Sequence, residues 1–195
     1  MKKFLILIIL VSFSSCKNKI DNVERAFYFW RSKDWNLSDK EMQVCDSLKI
    51  QKLYVKFFEV DYNDEIGSFP ISKTRLSSWR LDDLKITSII PTVYLRNVNF
   101  LKSSKKDLDA LADNINFLIN KYQKAEFKNF SINEIQMDCD WTLKSKENYF
   151  YFLQKLKSIS DKEISATLRL YPYKYTDNMG VPPVDKVMLM CYNLL

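Results

Sequence analysis

Two carboxylates placed two residues apart, Asp138 and Asp140, are the most suggestive chemical feature of this sequence. They fall in the stretch E-I-Q-M-D-C-D-W-T, residues 134–142, which alternates polar and apolar side chains as a β-strand does. In a strand, residues i and i+2 point to the same side, so Gln136 would share a face with both aspartates. Two acids on one face can perform acid–base chemistry, because each changes the pKa of the other. The alternative is an antiparallel edge strand whose polar face is simply solvated.

Further polar and aromatic residues lie where other predicted strands end. They are Trp30, Arg31, Glu59, Asp61, Arg96, Asn97, Trp141, Arg169, Tyr171, Tyr192 and Asn193. Carboxylates beside aromatic rings are what carbohydrate binding and glycosidic cleavage require. We predict Asp140 as the catalytic acid, Asp138 as the neighbour that tunes its pKa, and Glu59 as a reserve second carboxylate.

A second group of residues is predicted to contact the substrate. Trp30 or Trp141 would stack on a sugar ring, and Arg169 and Tyr192 would orient the substrate. The members of this group are Trp30, Arg96, Trp141, Arg169, Tyr192 and Asn193. In the alternative interpretation, such side chains form buried ion pairs that fill a lumen, for example Arg169 with Asp138 or Asp140.

Composition narrows the possible chemistry. The sequence has no histidine, which excludes Ser-His-Asp and Cys-His catalysis and histidine-based zinc sites. Beyond Cys16 there are three cysteines, and Cys139 and Cys191 alternate with apolar neighbours, so we predict both as small core residues. We predict neither a metal nor a cofactor. The formal net charge of +6, with no block of like charges, gives no indication of nucleic-acid binding.

Strands and helices alternate along residues 25–195, with no Gly- or Pro-rich linker, so we predict one domain there. The predicted strands are residues 26–31, 52–60, 89–95, 134–142, 164–170 and 186–194, and the predicted helices are the segment after Ser38, residues 107–122 and residues 145–159. Residues 61–80 and 171–185 are predicted as long connections. This alternation predicts βαβ units and a parallel sheet.

The faces of the predicted strands favour a barrel over an open sheet. Polar or aromatic residues alternate with apolar ones in three strands, as Tyr54, Lys56 and Phe58, as Thr92, Tyr94 and Arg96, and as Ser165, Thr167 and Arg169. A doubly wound sheet would be apolar on both faces, and no Gly-rich turn follows the first strand. A complete (β/α)8 barrel needs about 250 residues. We therefore predict an α/β fold, an incomplete TIM-type (β/α)8 barrel with about six parallel strands, truncated at its C-terminal end.

The N-terminus is typical of a secretory signal. A basic M-K-K is followed by an apolar run and then by S-F-S-S-C. The apolar run is shorter than the roughly 20 residues of a spanning helix. The small residues before Cys16 resemble a bacterial lipobox. This resemblance implies a signal peptide over residues 1–15, a lipid on Cys16 and a tether over residues 16–24. The protein would then be anchored to a membrane of the cell envelope, on the periplasmic side or at the cell surface. The alternative is an ordinary cleaved signal with a chance cysteine.

Two motifs resemble the chitinase-type (family 18) glycoside hydrolase barrel. They are D-C-D-W on the fourth predicted strand and M-L-M-C-Y-N on the sixth. The family's fourth-strand signature is D-x-x-D-x-D-x-E, in which Asp138 and Asp140 match the two central aspartates, and its sixth-strand Met-x-Tyr-Asp matches Met190 and Tyr192. Three positions depart from the family, because Ile135 replaces the first aspartate, Thr142 the catalytic glutamate and Asn193 the sixth-strand aspartate.

The chain is more similar still to uncharacterised bacterial lipoproteins with a glycoside-hydrolase-like barrel, over nearly all of residues 25–195. The stretches that carry this likeness are E-I-Q-M-D-C-D-W-T, S-A-T-L-R-L and G-V-P-P-V-D-K-V-M-L-M-C-Y-N. A typical member of that group continues beyond the sixth-strand Tyr-Asn. This second resemblance implies no established activity. We predict a membrane-anchored lipoprotein whose barrel acts on or binds glycans, and the sequence is silent on protein partners. The alternatives are a non-catalytic glycan-binding or cell-envelope lipoprotein and an inactive truncated remnant.

Overall fold

A computed structural model describes residues 23–31, 37–71, 74 and 85–191 as one curled sheet with helices packed on it. The strands are β1 Ala26–Phe29, β2 Lys52–Asn63, β3 Gly67–Ile71, β4 Ser88–Leu95, β5 Glu134–Asp138, β6 Glu163–Arg169 and β7 Lys186–Met190. The helices are α1 Asp39–Ser47, α2 Val98–Lys102, α3 Lys105–Glu126, α4 Lys146–Ile159, α5 Leu170–Lys174 and α6 Thr176–Met179. Helices and strands therefore alternate as predicted over most of the described chain.

The sheet has the order β1-β2-β4-β5-β6-β7, and all these neighbours pair in parallel. It curls into a half-barrel of six parallel strands, which confirms the predicted incomplete (β/α)n barrel. The Tyr28 hydroxyl on β1 donates a hydrogen bond of 2.7 Å to Oε1 of Gln136 on β5. Because β2 and β4 lie between those two strands, this contact crosses the concave face of the sheet.

The hydrophobic core lies between the outer face of the sheet and the two longest helices. Val93, Ile135 and Ile164 point outward from β4, β5 and β6 and are fully buried. Helix α3 buries Leu108, Leu111, Ala112, Ile115 and Ile119, and α4 buries Tyr149, Phe152, Leu153 and Leu156. These residues recur every three or four positions, as predicted for one buried stripe on each helix. The polar residues that alternate with these outward-facing residues along β4, β5 and β6 therefore face the concave side of the sheet.

Strand β2 interrupts this alternation with one extra residue. Lys56 pairs with Thr92 and Phe58 pairs with Val93, so Phe57 has no counterpart on β4. Such a β-bulge reverses the side to which each later residue points. Phe58 therefore lines an outer groove beside α3, whereas Glu59 lines a cavity on the concave side. The predicted inward position of Phe58 is wrong, because an alternation of period two does not continue through a bulge.

The predicted long connection over residues 61–80 contains regular structure. Strand β2 continues to Asn63, and β3 returns antiparallel to it with Asn63 opposite Gly67. Gly67 has a φ of 76°, a conformation that glycine adopts without the penalty of a Cβ. The predicted connection over residues 171–185 likewise contains α5 and α6.

Two smaller predictions near the ends of β5 and β7 need correction. Strand β5 ends at Asp138, so Asp140 lies in the following loop and not within a strand that reaches residue 142. Cys139 is buried, as predicted, but Cys191 is exposed, because β7 ends one residue before it. None of the helices in the described ranges is long and apolar enough to cross a membrane.

Candidate functional site

A cavity of about 300 Å³ opens where the parallel strands end. It is lined by Trp30, Glu59, Tyr94, Asp138, Asp140, Thr167, Arg169 and Met190. These residues come from or directly follow β1, β2, β4, β5, β6 and β7. In barrels of this type the carboxyl ends of the strands carry the functional residues. Of the residues predicted from sequence, the structure brings together Trp30, Glu59, Asp138, Asp140 and Arg169.

Asp138, the last residue of β5, is the largely buried acid of the cavity. Thr167 on β6 donates a hydrogen bond of 2.6 Å from Oγ1 to its Oδ1. Burial raises the pKa of the Asp138 carboxyl, and the charge of Asp140 raises it further, whereas the bond from Thr167 lowers it. Burial is the largest of these effects, so the pKa of Asp138 lies above its ordinary value. A carboxyl of this kind is suited to hold and deliver a proton.

Asp140 is more exposed and is held by an arginine. Nε of Arg169 lies 3.1 Å from Oδ1 of Asp140, so Arg169 does pair with one of the two aspartates, but the pair is exposed and not buried as the alternative interpretation had it. The same guanidinium donates a 2.6 Å hydrogen bond from Nη2 to the backbone carbonyl of Trp141. Two contacts from one planar group fix its orientation, so Arg169 presents a positioned cation at the rim of the cavity.

On the opposite side of the cavity, Glu59 is paired with a buried lysine. Nζ of Lys56 lies 2.6 Å from Oε1 of Glu59 and 5.6 Å from the centroid of the Trp30 ring. Lys56 is only 3% exposed, whereas Trp30 is 43% exposed and keeps part of its ring free for a ligand. The bulge at Phe57 makes this pairing possible, because it puts Lys56 and Glu59 on one side of the strand despite their spacing of three.

Thr74 holds the bulged segment in place. The single hydroxyl proton of Thr74 is shared between the carbonyl of Lys56, 2.7 Å from Oγ1, and the carbonyl of Arg31, 3.0 Å from it. Its backbone N–H donates to the carbonyl of Phe57 at 3.0 Å. Thr74 is buried, so its hydroxyl and its N–H hold the carbonyls of the irregular segment with little competition from water.

Three residues that line the cavity were not predicted as site residues: Tyr94, Thr167 and Met190. Neither was Lys56, which pairs with the cavity residue Glu59. The alternation of polar and apolar residues along their strands predicts that Lys56, Tyr94 and Thr167 face the concave side, so this pattern could have identified them. Burial raises the pKa of the Tyr94 hydroxyl, and the charges of Asp140 and Asp138 add to this effect. Tyr94 is therefore a neutral hydrogen-bonding group between the two sides of the site.

Other predicted residues lie elsewhere. Trp141 is 1% exposed and packs on Tyr149 and Phe150 of α4, so its ring belongs to the core and offers no face to a ligand. Arg96 pairs with Asp61 at 2.9 Å and does not line the cavity. Tyr192, Asn193 and Cys16 lie outside the described residues.

A larger open groove, of about 1000 Å³, lies at the other ends of β5 and β6. It is lined by Asn120, Gln123, Lys124, Lys128, Ile132, Asn133, Asp161, Lys162 and Glu163. Its charged groups include surface pairs such as Lys162 with Asp161, at 2.6 Å. It contains no aromatic ring and no buried carboxyl, so we place the candidate site in the smaller cavity.

Within residues 23–31, 37–71, 74 and 85–191, no group of three or more Cys, Asp or Glu side chains is arranged to hold a metal ion. The lining of the cavity offers three carboxyls, the Arg169 guanidinium, the hydroxyls of Tyr94 and Thr167, and the Trp30 ring. Any function must be inferred from this geometry, since the sequence matches no protein-family model and no curated protein.

Proposed function

We propose that the cavity binds a carbohydrate and that Asp138 is the general acid for cleavage of a glycosidic bond. The observation that carries the proposal is a largely buried carboxyl of raised pKa in one cavity with a half-exposed tryptophan ring. Sugars present apolar ring faces that stack on aromatic side chains, and their glycosidic oxygens need a proton donor before they can leave. A volume of about 300 Å³ is at the small end of ligand pockets and suits a single sugar ring.

The proposed mechanism divides the work between the two sides of the cavity. Protonated Asp138 gives its proton to the glycosidic oxygen, so that the bond breaks and the leaving group departs as an alcohol. A water molecule attacks the anomeric carbon and gives its proton to Glu59 across the cavity. Arg169 orients the substrate through its free N–H groups. This assignment exchanges the roles first predicted for the two aspartates, because Asp140 is engaged by Arg169 whereas Asp138 is the buried acid.

A second candidate function is glycan binding without cleavage. Two of the three carboxylates in the cavity, Glu59 and Asp140, are already paired with Lys56 and Arg169. A carboxylate held in this way binds sugar hydroxyls well but is less available as a nucleophile or base. The resemblance to family 18 hydrolases points the same way, since Thr142 stands where that family has its catalytic glutamate.

One experiment separates the two candidates. The purified full chain is incubated with a panel of envelope and dietary glycans, and both binding and release of reducing ends are measured. Cleavage predicts release by the wild type and loss of release in Asp138→Asn. Binding that survives Asp138→Asn, with no release from the wild type, supports the second candidate. Asp64→Asn, at an exposed residue paired with Lys102 outside the cavity, is the control and leaves both readings unchanged.

We also propose that the protein is a lipoprotein of the cell envelope, anchored through Cys16. The support is the N-terminal signal pattern that ends at this cysteine. Metabolic labelling with a clickable fatty acid tests it, with Cys16→Ser expected to abolish both the label and membrane association. Cys191→Ser, which removes an exposed cysteine at the other end of the described chain, should leave the label intact. Labelling that persists in Cys16→Ser would exclude this anchor.

A further inference from the structure

Directly below the candidate site, three neighbouring strands place polar side chains in one row. Thr92 on β4 pairs with Gln136 on β5, and Gln136 pairs with Ser165 on β6. Each is at most 1% exposed. The next inward residues along the same strands are Tyr94, Asp138 and Thr167, which line the cavity. This row, Thr92, Gln136 and Ser165, is the floor of the site.

Each residue of the floor carries a polar atom that has no hydrogen-bond partner in the described part of the chain. Among the described residues, nothing forms a hydrogen bond with Oγ1 of Thr92, Nε2 of Gln136 or Oγ of Ser165. Buried polar groups in native proteins are nearly always paired, because an unpaired one loses its bonds to water without compensation. Three such atoms on adjacent strands in one register therefore indicate a common partner between them.

Water has the size and the bonding pattern that this row requires. Adjacent strands lie about 4.8 Å apart, so one water molecule between two neighbouring side chains can reach both. The amide nitrogen of Gln136 has two N–H donors, and each hydroxyl both donates and accepts. Buried waters typically make about three hydrogen bonds to polar groups. One water on each side of Gln136 would satisfy all three atoms.

We propose that the floor is a buried hydration site that holds two ordered water molecules, one between Thr92 and Gln136 and the other between Gln136 and Ser165. The waters fix the Gln136 amide, whose Oε1 accepts the hydrogen bond from Tyr28 across the concave face. The Tyr28 ring in turn contacts the Trp30 ring, with centroids 6.2 Å apart. The hydrated floor thus helps to position β1 and the aromatic ring at the mouth of the site.

Magnetic relaxation dispersion of water nuclei tests this proposal on the full chain, because it counts long-lived buried waters. Thr92→Val keeps the shape of the side chain and removes its hydroxyl, and we expect it to lower the count by at least one. Thr87→Val makes the same chemical change at an exposed position and should leave the count unchanged. Ser165→Ala provides an independent variant on the other side of Gln136, and it also covers the case in which Thr92→Val does not fold.

Thermal unfolding is a second test, because the melting temperature should change in opposite directions if the Thr92 hydroxyl binds water and if it does not. A hydroxyl that binds water stabilises the fold, so Thr92→Val should lower the melting temperature by about 2–4 °C. A hydroxyl that is truly unpaired destabilises the fold, so its removal should raise the melting temperature. An unchanged water count in both Thr92→Val and Ser165→Ala would overturn the proposal. No glycan is present in either measurement, so the result is independent of the proposed function.

Discussion

Thr167 on β6 donates a 2.6 Å hydrogen bond to Asp138 on β5, and this is the bond that favours the charged form of the buried acid. Burial and the neighbouring Asp140 act in the opposite direction. The bond therefore sets how far the pKa of Asp138 rises and not whether it rises. The contribution of each neighbour to the pKa of Asp138 can be measured by substituting one residue at a time.

Thr167→Val should raise the pKa of Asp138 further, because it removes the only one of these effects that lowers it. The measurement is a carbon-13 NMR titration of the side-chain carboxyls, with Asp138 assigned by its loss in Asp138→Asn. Thr167→Ser retains a hydroxyl at the same position and should keep the pKa close to that of the wild type. A lower pKa in Thr167→Val would mean that the hydroxyl does not stabilise the carboxylate.

Asp138→Asn should stabilise the fold at neutral pH. The pKa of Asp138 is raised in the folded state, so its contribution to stability is fully present below the pKa of the unfolded chain and is lost as pH rises through the folded value. Asparagine keeps the shape and can still accept the bond from Thr167, but it carries no charge. Urea unfolding of the variant and the wild type should give curves that differ at pH 7 and converge in acid. A variant less stable than the wild type at pH 7 would contradict this sign.

Lys56→Met should destabilise the fold by about 3–5 kcal/mol at pH 7, because it leaves the carboxylate of Glu59 without its buried partner. Lys56 is 3% exposed, and the side chain of Glu59 is 16% exposed. The double variant Lys56→Met with Glu59→Gln removes both charges and should recover most of this loss. Urea unfolding of the wild type, both single variants and the double variant gives the coupling energy, and strictly additive losses would show that the two groups do not interact.

Thr74→Val should cost about 1–3 kcal/mol, because it removes a buried hydroxyl whose proton is shared between the carbonyls of Lys56 and Arg31. The substitution keeps the volume of the side chain, so little of the loss comes from packing. Thr87→Val is the matched control, because the Thr87 hydroxyl is exposed and makes only a long bond of 3.4 Å to the carbonyl of Gln51, so this change should alter stability by less than about 0.5 kcal/mol. Equal effects of the two substitutions in urea unfolding would show that Thr74 does not support the bulge.

Alternation in the sequence was sufficient to predict much of the site. Strands β4, β5 and β6 are regular up to their last residues, so Tyr94, Asp138 and Thr167 face inward as their spacing requires. The buried faces of α3 and α4 could also be predicted, because apolar residues recur at intervals of three and four along each helix. Where the backbone follows its ideal repeat, the pattern of side chains is enough to orient them.

The sequence could not predict the places where the backbone departs from its repeat. Phe57 and Phe58 are both aromatic and both fully buried, so nothing in their types marks one of them as the extra residue. Trp141 has a side chain suited to stacking on a sugar, but β5 ends at Asp138 and the following loop turns Trp141 into the core. Both orientations depend on tertiary contacts, with Thr74 in one case and with Tyr149 in the other.

The bulge in β2 is in effect a one-residue insertion that the sheet absorbs. Lys56, Phe58 and Glu59 lie opposite Thr92, Val93 and Tyr94, so loss of Phe57 would make the strand regular and still leave Phe58 toward the helices and Glu59 toward the cavity. An enzyme engineer could therefore delete this single codon at the expense of one buried ring and keep the same side chains facing the ligand. Alignments of homologues that place a gap at this position would join proteins with the same cavity, although their strands differ in length.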